Sequence, residues 1–480
     1  MCWSGMETRA LTDRSYSKFE KIIATIYLYC IIFRMISIFE AVTSRFGEVA
    51  SFFDVLLNMF GLAVAFVNTR GRLQLGNSGQ RRLFLCLILL VLYLNASSFI
   101  MACVIQCLYG SYAGETAFSG ILGMEIYFFQ YVFIIGYNMY ISKMFCKEEI
   151  YKILDRLNIF LLLLGYYNVL IVMYGGAFKQ ILMRIDVLGV LYYETDSVIE
   201  RAVLTANEPS NAAEMVCILI VPYLIAQAYR GWHRMRYLIF ILLWLPVIAC
   251  MQSTSAYLML LASLVGVCVL NATEKKKKST MILGTVMIAL AVFAVSPGGE
   301  ALADFVFDLF PEQLNIRYLI SEKLFSQTSN GSTTSRSVPL YFNWGAFTEF
   351  PIFGVGNGLQ GYFYNKYFPD FAFCSIYNRE VMDFYAKAQT TIFNGALFLP
   401  SLLSGYGIVG IAAIFGLCSR ARRVLWLNRD RLGAFFPYFV IALMAIAVAG
   451  FKSEFAGKYY IWFVLSIPFM EFRQKKDGLS

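Results

Sequence analysis

The sequence holds one histidine, His233, among 480 residues. It has no CxxC pair, although it has 11 cysteines, and charged residues make up only 15% of it. Each shortage excludes something. With His233 in a short basic segment between apolar runs, a mechanism elsewhere in the chain has no imidazole for acid–base work, and clustered-histidine metal sites are ruled out. Five of the cysteines, Cys86, Cys103, Cys217, Cys250 and Cys268, fall inside apolar runs, which argues against a zinc or redox role. Soluble domains carry about 25% charged residues. A chain with so few, and with 59% hydrophobic residues, is a polytopic membrane protein. The net charge of +9 is spread over segments between apolar runs, which suits an anionic membrane surface and not nucleic acid.

What is there is a series of long apolar runs. Crossing a bilayer takes about 20 apolar residues in a helix. That length marks twelve spans, at about 22–42, 51–68, 83–107, 119–142, 157–175, 211–229, 237–252, 256–271, 280–296, 391–418, 433–450 and 459–472. The expected fold is therefore all-α, with three parts: a membrane bundle of about nine helices over 1–296, a large polar loop over 297–390, and about three further helices over 391–480. The polar N-terminus lacks the pattern of a cleaved signal, so the first span is expected to direct insertion.

Lysine and arginine set the orientation. Alternate connecting segments and both termini hold 27 basic residues, among them Arg81, Arg82, Arg230, Lys275 and Arg420. The short segments on the other side hold 6: Arg45, Lys179, Arg184, Arg201, Lys452 and Lys458. Both termini are thus expected in the cytoplasm and the large loop outside, with Ala177–Ser210 as the second external segment. In the loop, Asp304–Phe325 has the spacing of an amphipathic helix, Ser326–Ser337 reads as a flexible turn, and the aromatic stretch Tyr341–Phe350 returns the chain toward the membrane.

The external side carries the candidate chemistry. Arg184, Arg201, Arg317, Arg336 and Arg379 face one compartment, and arginine suits bidentate phosphate binding; surface or headgroup pairing is the plainer alternative. The run from Trp344 to Gly358 ends in Gly354-Val-Gly-Asn-Gly358. No βαβ unit surrounds it, so it reads as a tight re-entry turn whose glycines let the backbone approach a helix or a ligand. Phosphate contact through its N–H groups, including those of Gly356 and Asn357, is the other reading. Glu208-Pro-Ser-Asn-Ala-Ala-Glu214 opens the sixth span with Pro209 in the first turn. Both of its carboxylates are expected near the outer surface, to take a proton, pair with an arginine or offset the helix dipole. Arg34 and Asp54 lie within spans and are functional candidates or a structural pair. Trp344, Tyr341, Tyr362 and Tyr364 are of a type that stacks on sugar rings or fills a core.

The arrangement resembles the O-antigen polymerase and ligase-like membrane glycosyltransferases, which have ten to fourteen spans and one large periplasmic loop late in the chain. The matching pieces are Arg201 with Glu208-Pro-Ser-Asn-Ala-Ala, Gln252-Ser-Thr-Ser-Ala-Tyr257, and Arg336 with Trp344 leading into Pro351-Ile-Phe-Gly-Val-Gly-Asn-Gly358. Asn394 before Leu403-Ser-Gly-Tyr-Gly-Ile-Val-Gly-Ile411 completes the set. The family's ligases depend on a periplasmic histidine near the start of the helix after the loop. Here that stretch is Ala388-Gln-Thr-Thr-Ile-Phe-Asn394, so the resemblance points to a polymerase, with ligase and flippase as alternatives. It implies a C-type glycosyltransferase-like bundle in the bacterial inner membrane that joins undecaprenyl-pyrophosphate-linked oligosaccharides, without a cofactor. It also implies a possible chain-length regulator protein as partner. On this reading Glu208 and Arg336 are catalytic, and Arg184, Arg201, Arg317, Trp344, Gly356, Asn357 and Asn394 bind substrate.

Overall fold

A computed structural model describes residues 16–32, 53–70, 75–112, 114–173, 202, 204, 209–231, 233–251, 253–274, 331–368, 386, 397–453, 455 and 458–473. Among the described residues the regular structure is helical. The helices of eight or more residues are α1 (Lys18–Cys30), α2 (Phe53–Asn68), α3 (Ser78–Tyr109), α4 (Ala117–Met144), α5 (Lys147–Met173) and α6 (Pro209–Arg230). They continue with α7 (Arg234–Met251), α8 (Thr254–Thr273), α9 (Gly331–Glu349), α10 (Phe398–Leu427), α11 (Phe435–Gly450) and α12 (Tyr459–Ser466). Among the described residues six helices are long and apolar enough to cross a membrane: α3, α6, α7 and α10, with residues 147–170 of α5 and 255–273 of α8. The architecture is that of a multi-pass helical membrane protein. Of the expected spans, the one at about 280–296 lies outside the described residues, as does the expected amphipathic helix Asp304–Phe325.

The core forms around α6. Every residue from Ala212 to Val221 is at most 2% exposed. A helix apolar all round belongs at the centre of a bundle, and α6 packs on α7, α8 and α11. Its middle is a π-helical turn, Val216–Ile220, in which the Val221 N–H reaches back five residues to the Val216 carbonyl. The wide turn comes directly before Pro222, which lacks an N–H and crowds an ordinary α-turn. Around this centre α8 lies along α11, α3 runs between α4 and α10, and α9 packs on the first turns of α10.

The two ends of the bundle differ in charge. At one end Arg230 donates to the Gly433 carbonyl at 2.8 Å and the Ala434 N–H donates to Tyr151 Oη at 2.9 Å. Near these contacts sit Arg234, Arg236, Arg429 and Arg431, and the same end of α3 carries Arg81 and Arg82. At the opposite end Tyr362 Oη donates to the Gly110 carbonyl at 3.1 Å and the Phe398 N–H to the Ser453 carbonyl at 3.2 Å. Among the described side chains, the lysines and arginines of that end are Lys366, Lys452 and Lys458.

One expectation fails within the described residues. The flexible turn expected over Ser326–Ser337 is helical from Gly331 onward, as the start of α9. Val338, Phe342 and Ala346 recur every four residues and are at most 1% exposed. Tertiary packing of that stripe outweighs the poor helix propensity of the Gly/Ser/Thr run before it.

Candidate functional site

At the less basic end, α10 is broken. Gly407 has φ 60° and ψ −164° in the middle of the helix. An intact helix would join the Ile408 N–H to the Ser404 carbonyl and the Val409 N–H to the Gly405 carbonyl, four residues back. Here both bonds are opened and the segment 351–356 is inserted between the separated groups. The Ile408 and Val409 N–H groups donate to the carbonyls of Pro351 and Ile352 at 2.9 and 3.0 Å. The Ser404 and Gly405 carbonyls accept from the N–H groups of Val355 and Gly356, both at 2.9 Å. The inserted segment therefore splints the break: each of the four main-chain groups that it separates finds a new partner, as a lipid environment demands.

Only glycine permits this approach. A Cβ on Gly354 would stand 2.3 Å from the Gly405 carbonyl carbon, and one on Gly407 would stand 2.5 Å from the Gly354 nitrogen. Both residues also have positive φ, 74° and 60°. The Gly354 and Gly358 N–H groups turn inward too, to the Phe350 carbonyl and to Gln360 Oε1. Asn357 N–H donates to Ser98 Oγ of α3 at 3.1 Å. Of the two readings of Gly354–Gly358, the approach to a helix is the one the geometry fits: all five N–H groups have protein acceptors.

Buried side chains lock the splint. Ser404 Oγ donates to Asn343 Oδ1 of α9 at 2.6 Å, and Gln360 Nε2 reaches Ser404 Oγ at 3.3 Å and the Ser401 carbonyl at 3.2 Å. Asn343, Gln360 and Ser404 are at most 2% exposed. They join α9, the splint and α10 in one network.

One turn before Ser401, the Phe398 N–H meets Ser453, which belongs to a second cluster. Glu214 of α6 is wholly buried. Lys458 Nζ donates to its Oε1 at 2.8 Å, Ser453 Oγ to its Oε2 at 2.9 Å, and Tyr460 Oη to Oε1 at 3.2 Å. Lys452 Nζ lies 3.7 Å from Oε2 and donates to the Ser210 carbonyl at 2.9 Å. Glu214 is thus paired inside the bundle, with lysines and not with an arginine. Two lysines supply the countercharge that makes its burial tolerable, and they come from the α11–α12 connection.

A smaller polar group ends α9. Glu349 accepts hydrogen bonds from Lys366 and Tyr367. The bonds from Lys366 and then Tyr367 hold its carboxyl below the usual range. Nearby, α9 turns an apolar edge outward: Tyr341 is 56% exposed and Trp344 61%.

The sequence-derived site residues fare unequally. Glu208, Arg184, Arg201, Arg317 and Asn394 lie outside the described residues, as does Arg34. Arg336 lies on α9, two turns before Asn343, and its side chain and that of Asp54 are outside the description. Trp344 is exposed, while Gly356 and Asn357 are buried in the splint. Tyr364 is core, packed on Phe342 with ring centroids 3.8 Å apart. Sequence reasoning missed Asn343, Gln360 and Ser404, and did not connect Lys452 and Lys458 with Glu214. The available signal was that both lysines belong to the few basic residues on the sparsely charged side. No protein-family model and no curated protein matches the chain.

Proposed function

We propose that the chain is a polysaccharide polymerase of the O-antigen polymerase type, joining oligosaccharide repeat units carried on undecaprenyl pyrophosphate at the periplasmic face of a bacterial inner membrane. One observation carries this reading: segments far apart in sequence that resemble the family converge at one end of the bundle. Pro351–Gly358 is seated in the break of α10 within Leu403–Ile411. The start of α6, with Pro209–Ala213, packs on α8, which follows Ser253. Glu214 and Ser453 link α6 to the first turn of α10. This end also carries few basic residues, so the positive-inside rule assigns it to the periplasm and both termini to the cytoplasm, with twelve spans in all.

In the proposed reaction the growing chain leaves its carrier for a new unit. An acceptor hydroxyl oxygen bonds to the anomeric carbon and the bond from that carbon to the pyrophosphate oxygen breaks. The hydroxyl proton passes to a carboxylate, assigned to Glu208, and undecaprenyl pyrophosphate departs. Arg336 and Arg317 hold the pyrophosphate, where stabilising the developing charge is the main catalytic term. Arg184 or Arg201 holds the second lipid-linked unit. The locked network of Asn343, Ser404 and Gln360 fixes the helix that carries Arg336.

A lipid-linked oligosaccharide flippase is the second reading, favoured by the broken helix, since transporters place discontinuous helices at their substrate sites. The test is complementation of a strain lacking the chromosomal copy, with surface polysaccharide run on a gel. A polymerase null keeps lipid A core capped with a single unit, whereas a flippase null loses the cap. Arg336→Ala and Glu208→Gln are expected to collapse the ladder to one unit at normal protein levels. Full ladders from both variants overturn the assignment of these residues.

A further inference from the structure

At the basic end, on the side of the bundle formed by α2, α3 and α4, lies a groove of about 440 Å³. Its volume falls in the range of small-ligand sites, about 300–1,000 Å³. Its walls are apolar, from Met59, Ala63 and Phe66 of α2, Phe84 and Ile88 of α3 and Gly136 of α4. Met59, Phe66 and Phe133 are about half exposed, so the groove opens sideways to the membrane. Each of the three helices sets a basic residue beyond the groove at the same end. Arg81 precedes Phe84 by three residues and Ile88 by seven, which places it on the same face of α3. Arg70 follows Phe66 by four, just past the end of α2. Lys143 follows Gly136 by seven on α4, where it and Arg81 repel one another. Among the described residues, the carboxylate paired with this set is Glu471, 3.7 Å from Lys143 Nζ.

We propose that this groove binds one acyl chain of an anionic phospholipid, whose phosphate is held between Arg70, Arg81 and Lys143. An apolar slot open to lipid accepts a hydrocarbon chain, and a cluster of cations at one mouth favours an anionic headgroup over a zwitterionic one. The site lies at the opposite end of the bundle from the splint, and the proposal stands independently of the polymerase reading.

The test is native mass spectrometry of the intact protein after reconstitution with phosphatidylcholine alone or mixed with phosphatidylglycerol. The wild type is expected to retain phosphatidylglycerol in preference to phosphatidylcholine. Arg81→Gln lowers phosphatidylglycerol retention about fivefold, the size expected for one basic residue at a membrane surface, and leaves phosphatidylcholine unchanged. Ala63→Phe, which fills the slot from its exposed wall, lowers retention of both. Arg82→Gln, one position out of register, is the control and keeps the preference. Equal retention of the two lipids by the wild type overturns the proposal. So does an unchanged preference in Arg81→Gln, unchanged retention in Ala63→Phe, or a loss in Arg82→Gln equal to that in Arg81→Gln.

Discussion

The splint in α10 and the ion cluster around Glu214 fasten the same stretch of helix, Phe398 to Val409, by opposite means. The splint is made of main chain: four hydrogen bonds between neutral groups, possible because two glycines remove the Cβ atoms that would stand in the way. The ion cluster is made of side chains: a buried carboxylate with two lysines, a serine and a tyrosine drawn from positions over 230 residues away. A backbone splint tolerates changes of charge but no added atoms. A buried ion pair tolerates changes of shape better than the loss of one partner.

The largest predicted effect comes from adding atoms to the splint. Gly354→Val and Gly407→Val each meet main chain and a positive φ, where a β-branched residue is a strong outlier. Both variants are expected to vanish from the monodisperse peak in size-exclusion chromatography of the detergent-solubilised protein. A normal peak from either breaks the comparison at its first term.

Next comes the ion cluster. Lys458→Met leaves Glu214 with one lysine fewer and is expected to destabilise by about 3–5 kcal/mol, read by thermal unfolding in detergent. The double variant Glu214→Gln/Lys458→Met is expected to lose less than the sum of the two single variants, because it leaves no buried carboxylate short of a partner. Strict additivity would mean that the pair does not act as a unit.

Ser404→Ala follows, at about 1–3 kcal/mol, since it leaves Asn343 Oδ1 and Gln360 Nε2 with an unmade bond in a buried site. Thermal unfolding again measures it, and a cost matching that of Lys458→Met would erase the distinction between the neutral and the charged fastening.

The smallest effect is that of Glu349, whose side chain is partly buried at the end of α9. Its carboxyl is held below the ordinary value of 4.5 by Lys366 and Tyr367. A depressed folded-state value contributes stability that is full above about pH 4.5 and is lost as pH falls through the lower folded value. Thermal unfolding of Glu349→Gln against wild type should show a constant small difference from pH 6 to 8, closing in acid. A difference that grows in acid contradicts the sign.

How much of this was legible in the sequence depends on the distance over which each signal acts. Helices such as α3 and α7 are written locally, as apolar runs of membrane length. The division into a basic and a less basic end follows from where Arg81, Arg230 and Arg429 fall between those runs. The turn at Gly354–Gly358 was legible as an approach to a helix or a ligand because its glycines announce a close contact, though not which partner. The partners of Glu214 were not legible, because no local pattern joins position 214 to positions 452 and 458. The helical start of α9 was hidden as well: its Gly/Ser/Thr residues favour a turn, and the stripe that holds it begins only at Val338.

The central claim is that the end of the bundle where these segments converge joins lipid-linked repeat units. The measurement that tests it most directly is electrophoresis of the products formed by the purified protein in liposomes supplied with undecaprenyl-pyrophosphate-linked repeat units. The account predicts a ladder of multiple repeats, which Arg336→Ala reduces to single units. Units that stay single while crossing to the other face of the liposome would contradict it.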